Sequence, residues 1–385
     1  MKKVIIVFRE MQIGGSTTSL LSLLNEIDYS KYDIDLLLLN RSGSLMSAIP
    51  EQVHILDSAY NSRLPYKIRK RLSVKNFYYV AKCKNENQRG QYIANSTVSY
   101  CRRIEKKYDI GIAFLECWPT YYLIRKINSE KKICWIHVNY SEAGFNSRFD
   151  TPYYAMADRI VLVSDSCHKD FVHRFPQFMN KACHIPNLLS KKYIRRRAEL
   201  NSSMFDWSAY KSQIKFVSVC RIDFAHKGLD RALAAFYKLV KERVDNFVWV
   251  VIGDGPDYEE MQERIKKYRL ERKIYMLGSN PNPLSTLVDA DIFLLPSRYE
   301  GKPMAVTEAQ MLGIVPLVTS YSSAEEQIEK NVDGIICENS DNGIYIALKE
   351  VLIGKSRIQE MKDNVKNREY SNLNDLSLIE QILEE

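Results

Sequence analysis

The sequence predicts an α/β protein with two doubly wound, parallel-sheet domains. Three observations lead there. Short apolar runs alternate with helix-length segments along nearly the whole chain, as strands joined by crossover helices do. The runs are almost continuously apolar rather than alternating with polar residues, which marks strands buried on both faces. The chain has 385 residues, more than a single hydrophobic core usually supports.

In the first half the expected strands are "KVIIVF", "DIDLLLL", "VHIL", "DIGIAFL", "KICWIHV" and "RIVLVS". The opening "MKKVIIVFRE" begins like a secretion signal, but its apolar run ends at a charged "RE", so it reads as a buried strand. A Gly-Gly turn (Gly14, Gly15) then leads into the amphipathic "STTSLLSLLNEI". In the second half the strands are "IKFVSV", "VWVVIG", "KIYMLG", "DIFLLP", "VPLVT" and "GIIC". Each half therefore reads as a Rossmann-like domain, with ligands expected at the carboxyl ends of the strands near the switch in strand order. Residues 1–190 are expected to form the first domain, the polar and basic stretch 191–212 a linker, and 213–355 the second domain. Residues 356–385 carry no strand signal and are expected as helices that pack back on the first domain.

Composition narrows the function classes. With 45% hydrophobic and 26% charged residues, this is an ordinary globular chain. No apolar run approaches the roughly 18 residues of a membrane span. Eight scattered cysteines form no C-x-x-C pair, which suits reduced thiols in the cytoplasm better than disulfides or zinc. The net charge of +8 is uneven: residues 58–107 hold thirteen Lys/Arg against Glu86 and Glu105. "PYKIRKRLSVKNFYYV" mixes cations with Tyr, Phe, Leu and Val. It reads as a segment lying on an anionic membrane or holding an acceptor, with Lys67, Arg69, Lys70, Arg71 and Lys75 as contacts. Nucleic acid is not expected as a partner, since no recognised binding motif is present.

The chemistry concentrates in "RYEGKPMAVTEAQMLG", residues 298–313. A strand runs into it, "RYEGK" turns beyond the strand's carboxyl end, and Pro303 suits the first helical position. The backbone around Gly301, Lys302, Pro303, Met304 and Ala305 then offers a helix N-terminus, an anion site. Glu300 stands just ahead of it and Glu308 a turn or so inside. Carboxylates accept hydrogen bonds from sugar hydroxyls, so the stretch suits a nucleotide sugar: diphosphate on the helix end, hexose near Glu300, ribose near Glu308. Two other motifs are set aside. "DAD" (Asp289–Asp291) lies at the start of a strand, away from the site, and "GDGP" lacks the spacing of an NAD loop.

Residues 298–313 resemble the E-x7-E signature of the retaining glycosyltransferases of family four, which have the GT-B architecture: two Rossmann-like domains facing across a cleft. "VSVCRIDFAHKGLDRALAAF" resembles that family's arginine–lysine pair, here Arg221 and Lys227. "VVIGDGPDYEEM" and "KIYMLGSNPNPLSTLVDADIFLLPS" resemble its donor-domain strands, which puts Leu277 against the nucleobase. The resemblance covers nearly all of 213–355 and is looser in the first half. There it implies that Gly14 and Gly15 form the N-terminal glycine loop, with Gly15 approaching the donor. It also makes His137, closing "CWIHV", the active-site histidine; the other histidines lack such a setting.

The resemblance implies a metal-independent retaining transfer of a hexose or N-acetylhexosamine from a nucleoside diphosphate sugar, with UDP-sugar as the leading class. The acceptor would be a glycan, lipid-diphosphate-linked, in cell-surface polysaccharide biosynthesis at the inner face of the membrane. Two cations on one loop neutralise a diphosphate without a metal. Two rivals share the architecture, a sugar-nucleotide epimerase and a non-catalytic binding protein. The basic, aromatic first-domain segment speaks against the first. Keeping Arg221, Lys227, Glu300 and Glu308 together speaks against the second.

Overall fold

The computed structural model describes residues 1–12, 14–59, 83–200, 203–300, 302–321 and 323–385. The first apolar runs become strands β1 (Lys2–Phe8), β2 (Tyr32–Leu38), β3 (His54–Ile55), β4 (Ile104–Ala113), β5 (Ile127–Ile136), β6 (Arg159–Leu162) and β7 (Ala182–His184). They form one parallel sheet in the order β3-β2-β1-β4-β5-β6-β7. Val4 of β1 pairs with Ile34 on one side and Ile110 on the other, and Val4 to Val7 are fully buried, as strands covered on both faces require. The order reverses between β1 and β4, so the crevice at their carboxyl ends is the expected ligand position.

The second sheet is also parallel. Its strands are β8 (Ile214–Val219), β9 (Phe247–Ile252), β10 (Ile274–Met276), β11 (Ile292–Leu295), β12 (Val315–Thr319) and β13 (Ile335–Cys337), in the order β10-β9-β8-β11-β12-β13. Its reversal lies between β8 and β11. Buried polar groups there are satisfied: Ser218 Oγ donates to the Leu294 carbonyl at 2.6 Å and accepts from Trp249 Nε1 at 3.0 Å. Both hydrogen bonds hold the central strands in register around a Phe216–Phe236–Trp249 core.

Several boundaries differ from expectation. β7 gave no signal because it is a three-residue strand, "ACH", without an apolar run. β4 and β5 begin about five residues early, in polar sequence held by a Lys107–Glu130 pair at 2.7 Å. The chain divides into Met1–Ser190 with Asn372–Glu385, and Lys191–Ser371. The stretch expected as a linker, 191–212, instead carries the helix Lys191–Glu199, whose Tyr193, Ile194, Arg197 and Ala198 are buried, and a turn burying Trp207. Arg197 is buried because it bonds the Pro281 carbonyl at 2.7 Å and Asn282 at 3.2 Å.

The residues after 355 also split. The helix Lys355–Asn367 stays with the second unit because Ile358, Met361 and Val365 form an apolar stripe in its core. The last helix, Leu376–Glu384, belongs to the first unit. It meets the amino ends of the strands: Lys2 Nζ donates to the Leu383 carbonyl at 2.9 Å, and Tyr32 Oη to Glu384 at 2.7 Å.

Candidate active site

In the second unit the site grows from two loops at the carboxyl ends of β8 and β11. After β8 the chain turns through Cys220–Asp223 into the short helix Phe224–Lys227, which Asp223 caps by accepting from His226 N–H at 3.2 Å. The "GDGP" loop explains itself here. A Cβ on Gly253 would lie 1.9 Å from the Cys220 carbonyl oxygen, and one on Gly255 2.2 Å from that of Ile222. Only glycine lets the β9 loop pass beneath the loop that carries Arg221. Gly228, at φ +63°, likewise would clash with the Pro296 carbonyl at 2.3 Å. Arg298 N–H closes the clasp on the His226 carbonyl at 2.8 Å.

This clasp brings Lys227 onto Glu300. Lys227 Nζ lies 2.6 Å from Glu300 Oε1, with side-chain exposures of 16% and 7%. Ser297 Oγ donates to the same oxygen at 2.5 Å, and His226 Nε2 stands 3.8 Å from Oε2. His226 is a residue the sequence reading passed over. Its ring stacks on exposed Tyr299, centroids 4.2 Å apart and planes within 9°, so an aromatic shelf borders the carboxylate. Arg221 leads the same loop with its side chain exposed.

The helix after Glu300 runs Met304–Met311, one residue later than expected, with Pro303 just ahead of it at φ −68° and ψ 114°. Among the described residues no side chain caps it, which leaves its first N–H groups and the positive dipole end available to an anion. Gln327 fixes the entry, its Nε2 donating to the Pro303 carbonyl at 3.1 Å and to Thr307 at 3.0 Å. Glu308 is half-buried, the fifth residue of the helix, and Lys302 is exposed. Leu277 follows β10, its N–H bonded to the Val251 carbonyl at 2.9 Å. Gly301 lies outside the described residues. Asp291 of the "DAD" motif is occupied at the amino end of β11, accepting from Lys215 N–H at 2.9 Å and pairing with Lys362.

The first unit has its own cluster at the ends of β4 and β5. His137 follows β5, and Glu116 lies in the loop after β4 and accepts the His137 N–H at 3.1 Å. Burial pushes the Glu116 carboxyl up, although its two backbone hydrogen bonds and Arg9 oppose this. Burial also lowers the His137 ring to about 4, so the imidazole is neutral at physiological pH. The Phe114 carbonyl and Asn187 side chain approach the ring and offset part of that effect. Neither closes a hydrogen bond of ordinary geometry, and among the described residues both ring nitrogens and Asn187 Oδ1 are buried without one. Phe114 lies against the ring at 5.2 Å. Gly14 and Gly15 are exposed at the start of the helix Gly15–Glu26. A Cβ on Gly14 would meet nothing within 4 Å among the described residues. Glu116 was missed in the sequence, although "AFLE" places a carboxylate just past a buried strand, as "FLLPSRYE" does for Glu300.

Lys67, Arg69, Lys70, Arg71 and Lys75 lie outside the described residues. The described part of that basic stretch is the helix Glu86–Ser99 and the start of β4. There Lys106 pairs with Asp35 at 2.8 Å and Lys107 with Glu130. No helix among the described residues is long and apolar enough to cross a membrane.

With this geometry in hand, comparison with known proteins defines the class. Residues 201–368 match the family described as "Glycosyl transferases group 1", a stretch that takes in most of the second unit, Lys191–Ser371. One relative is the Escherichia coli UDP-Gal:alpha-D-GlcNAc-diphosphoundecaprenol alpha-1,3-galactosyltransferase, 24% identical over 152 residues, 39% of either chain. Another is the Campylobacter jejuni N-acetylgalactosamine-N,N'-diacetylbacillosaminyl-diphospho-undecaprenol 4-alpha-N-acetylgalactosaminyltransferase, 23% identical over 376 residues, 96% of this chain and 95% of that one. The matches to the first curated relatives span about half of their length or less. The Anabaena protein Alr3699/HepE, solved with UDP-glucose, superposes over all of both chains with a TM-score of 0.68 at 13% identity. The chain thus has the two-Rossmann-domain GT-B fold.

Proposed function

We propose that this protein is a retaining glycosyltransferase moving a hexose or N-acetylhexosamine from a UDP-sugar to a lipid-diphosphate-linked glycan during cell-surface polysaccharide assembly. The observation that carries it is the Lys227–Ser297–Glu300 cluster set just ahead of an uncapped helix N-terminus. In this reading the diphosphate rests on the Met304 and Ala305 end of that helix, with Arg221 and Lys227 around it. Lys227 keeps one donor on Glu300 and turns the others to phosphate, so no metal is needed to neutralise the leaving group. Glu300 orients a hexose hydroxyl, Glu308 the ribose, and Leu277 and the residues beyond it the base. The acceptor hydroxyl attacks the face that the diphosphate leaves, and a departing phosphate oxygen takes its proton. In the first unit, neutral His137, its backbone N–H held by Glu116, is assigned to the acceptor.

The names of the two undecaprenol-linked relatives, both alpha-transferases, support the donor and acceptor classes, and the UDP-glucose complex of the structural neighbour supports the nucleotide. The test is purified protein with UDP-, GDP- and ADP-sugars and a polyprenyl-diphosphate glycan, with and without EDTA. Transfer from one UDP-sugar with retained configuration, unchanged by EDTA, is expected. Epimerised nucleotide sugar in place of transfer, or turnover lost to EDTA and restored by Mg²⁺, would overturn the reading.

A further inference from the structure

Two side chains grip one oxygen of Glu300. Lys227 Nζ and Ser297 Oγ both donate to Oε1, at 2.6 and 2.5 Å. These contacts fix the rotation of the carboxylate and leave Oε2 on the side of His226, whose Nε2 stands 3.8 Å away. That distance is too long for a hydrogen bond, yet short enough for one oxygen atom to lie within reach of both. With its proton on Nε2 the imidazole donates, while a carboxylate oxygen accepts, and accepts from more than one donor. A hydroxyl meets both at once, because its oxygen accepts while its proton is donated. A carbonyl can only accept, and an ammonium can only donate.

A second set of contacts holds the imidazole in this place. The His226 ring stacks on Tyr299, with centroids 4.2 Å apart and planes within 9°. The backbone on both sides of the stack is pinned. Asp223 accepts the His226 N–H at 3.2 Å, and Arg298 N–H donates to the His226 carbonyl at 2.8 Å. Arg298, the neighbour of Tyr299, also donates from its side chain to the Phe224 carbonyl at 3.1 Å and to Asp230 at 3.0 Å. Asn339 donates to the Arg298 carbonyl at 2.7 Å. Tyr299 is 61% exposed, so it adds little to the core; its contact is with the imidazole. The His226 side chain is 32% exposed against 7% for Glu300, so the pair opens to solvent on the histidine side.

We propose that His226 and Glu300 together read one hydroxyl of the transferred sugar. The hydroxyl donates to Glu300 Oε2 and accepts from His226 Nε2, and Tyr299 is the positioning residue that keeps the imidazole in plane. This rests on the transfer reading above and adds a selection rule to it: the donor sugar carries a free hydroxyl at that ring position. A sugar lacking it leaves both an acceptor and a donor without their partner, which is how a polar site rejects a deoxygenated substrate.

The test uses the full chain with UDP-glucose, UDP-galactose, UDP-N-acetylglucosamine and UDP-N-acetylgalactosamine, followed by UDP release. The donor that turns over is then compared with its analogues deoxygenated at one hydroxyl at a time. Wild type should lose at least about tenfold in kcat/KM with one analogue. His226→Phe keeps a ring for the Tyr299 stack and removes Nε2. It should lower kcat/KM for the parent donor by about three- to tenfold and shrink the penalty for that analogue by the same factor. Its affinity for UDP, measured by calorimetry, should be unchanged. Tyr299→Phe, which keeps the stack, should behave as wild type. An unchanged analogue penalty in His226→Phe, or UDP affinity lost with it, overturns the assignment and leaves the transfer reading standing. No turnover of any UDP-sugar by wild type overturns the transfer reading, and this assignment with it.

Discussion

Consider replacing Lys227 by Met. The side chain is nearly isosteric, so packing changes little, but Glu300 loses the ammonium at 2.6 Å while Ser297 and the more distant His226 stay beside it. With exposures of 16% and 7%, the pair lies between the surface limit of about 0–1 kcal/mol and the roughly 3–5 kcal/mol for breaking a buried pair. We expect about 2 kcal/mol. For a unit of this size, that lowers the melting temperature by about 4–8 °C. Glu300→Gln alone leaves Lys227 facing a neutral amide and should cost less. The double variant Lys227→Met/Glu300→Gln should then be no worse than Lys227→Met, giving a coupling energy of about 1–2 kcal/mol in the double-mutant cycle. Thermal and urea unfolding of the four proteins measure it. A coupling below about 0.5 kcal/mol would refute the view that this contact organises the site.

Three further outcomes follow from the other elements. Glu116→Gln keeps the oxygen that accepts the His137 N–H but removes the charge, so acceptor kcat/KM should fall about tenfold or more while donor hydrolysis is unchanged; unaltered acceptor kinetics would contradict the assigned role. Buried Asp150 accepts from Tyr121 and Tyr140 at 2.6 Å and Gln91 at 2.7 Å, and burial raises it to about 6 despite those donors. Because the folded value is raised, its protonation adds stability fully below about pH 4, lost as pH rises through about 6. Asp150→Asn should flatten unfolding stability across that window, by on the order of 2–3 kcal/mol in wild type; an unchanged pH profile would contradict it. Co-sedimentation with anionic vesicles should be salt-sensitive and weakened when Lys67, Arg69, Lys70, Arg71 and Lys75 become Ser, since each cation near such a surface adds roughly 1 kcal/mol; equal pelleting of both proteins would remove the membrane role.

The twelve expected strands were legible because parallel strands buried on both faces announce themselves as unbroken apolar runs. β7 escaped because an edge strand of three residues needs no such run. The helix Lys191–Glu199 looked like a linker because "KKYIRRRAE" is dominated by cations; its buried stripe of Tyr193, Ile194, Arg197 and Ala198 includes an arginine that only tertiary partners make tolerable. Glu300 and Glu308 could be read from strand, bend and helix. The contact between Lys227 and Glu300, 73 residues apart, could not, since it depends on glycines 228, 253 and 255 letting loops from three strands close together. Glu116 and His226 were missed for the same reason: each gains its setting from a neighbour across the sheet.

The central claim is that Glu300 holds the transferred sugar while cations and a helix end hold the diphosphate. Titrating UDP into wild type and Glu300→Gln, and following transfer by both from the same UDP-sugar, tests it most directly. The account predicts UDP binding as tight or tighter in the variant, because Lys227 is released toward phosphate, with transfer reduced at least about tenfold. Wild-type turnover by Glu300→Gln, or UDP affinity lost together with transfer, would contradict it.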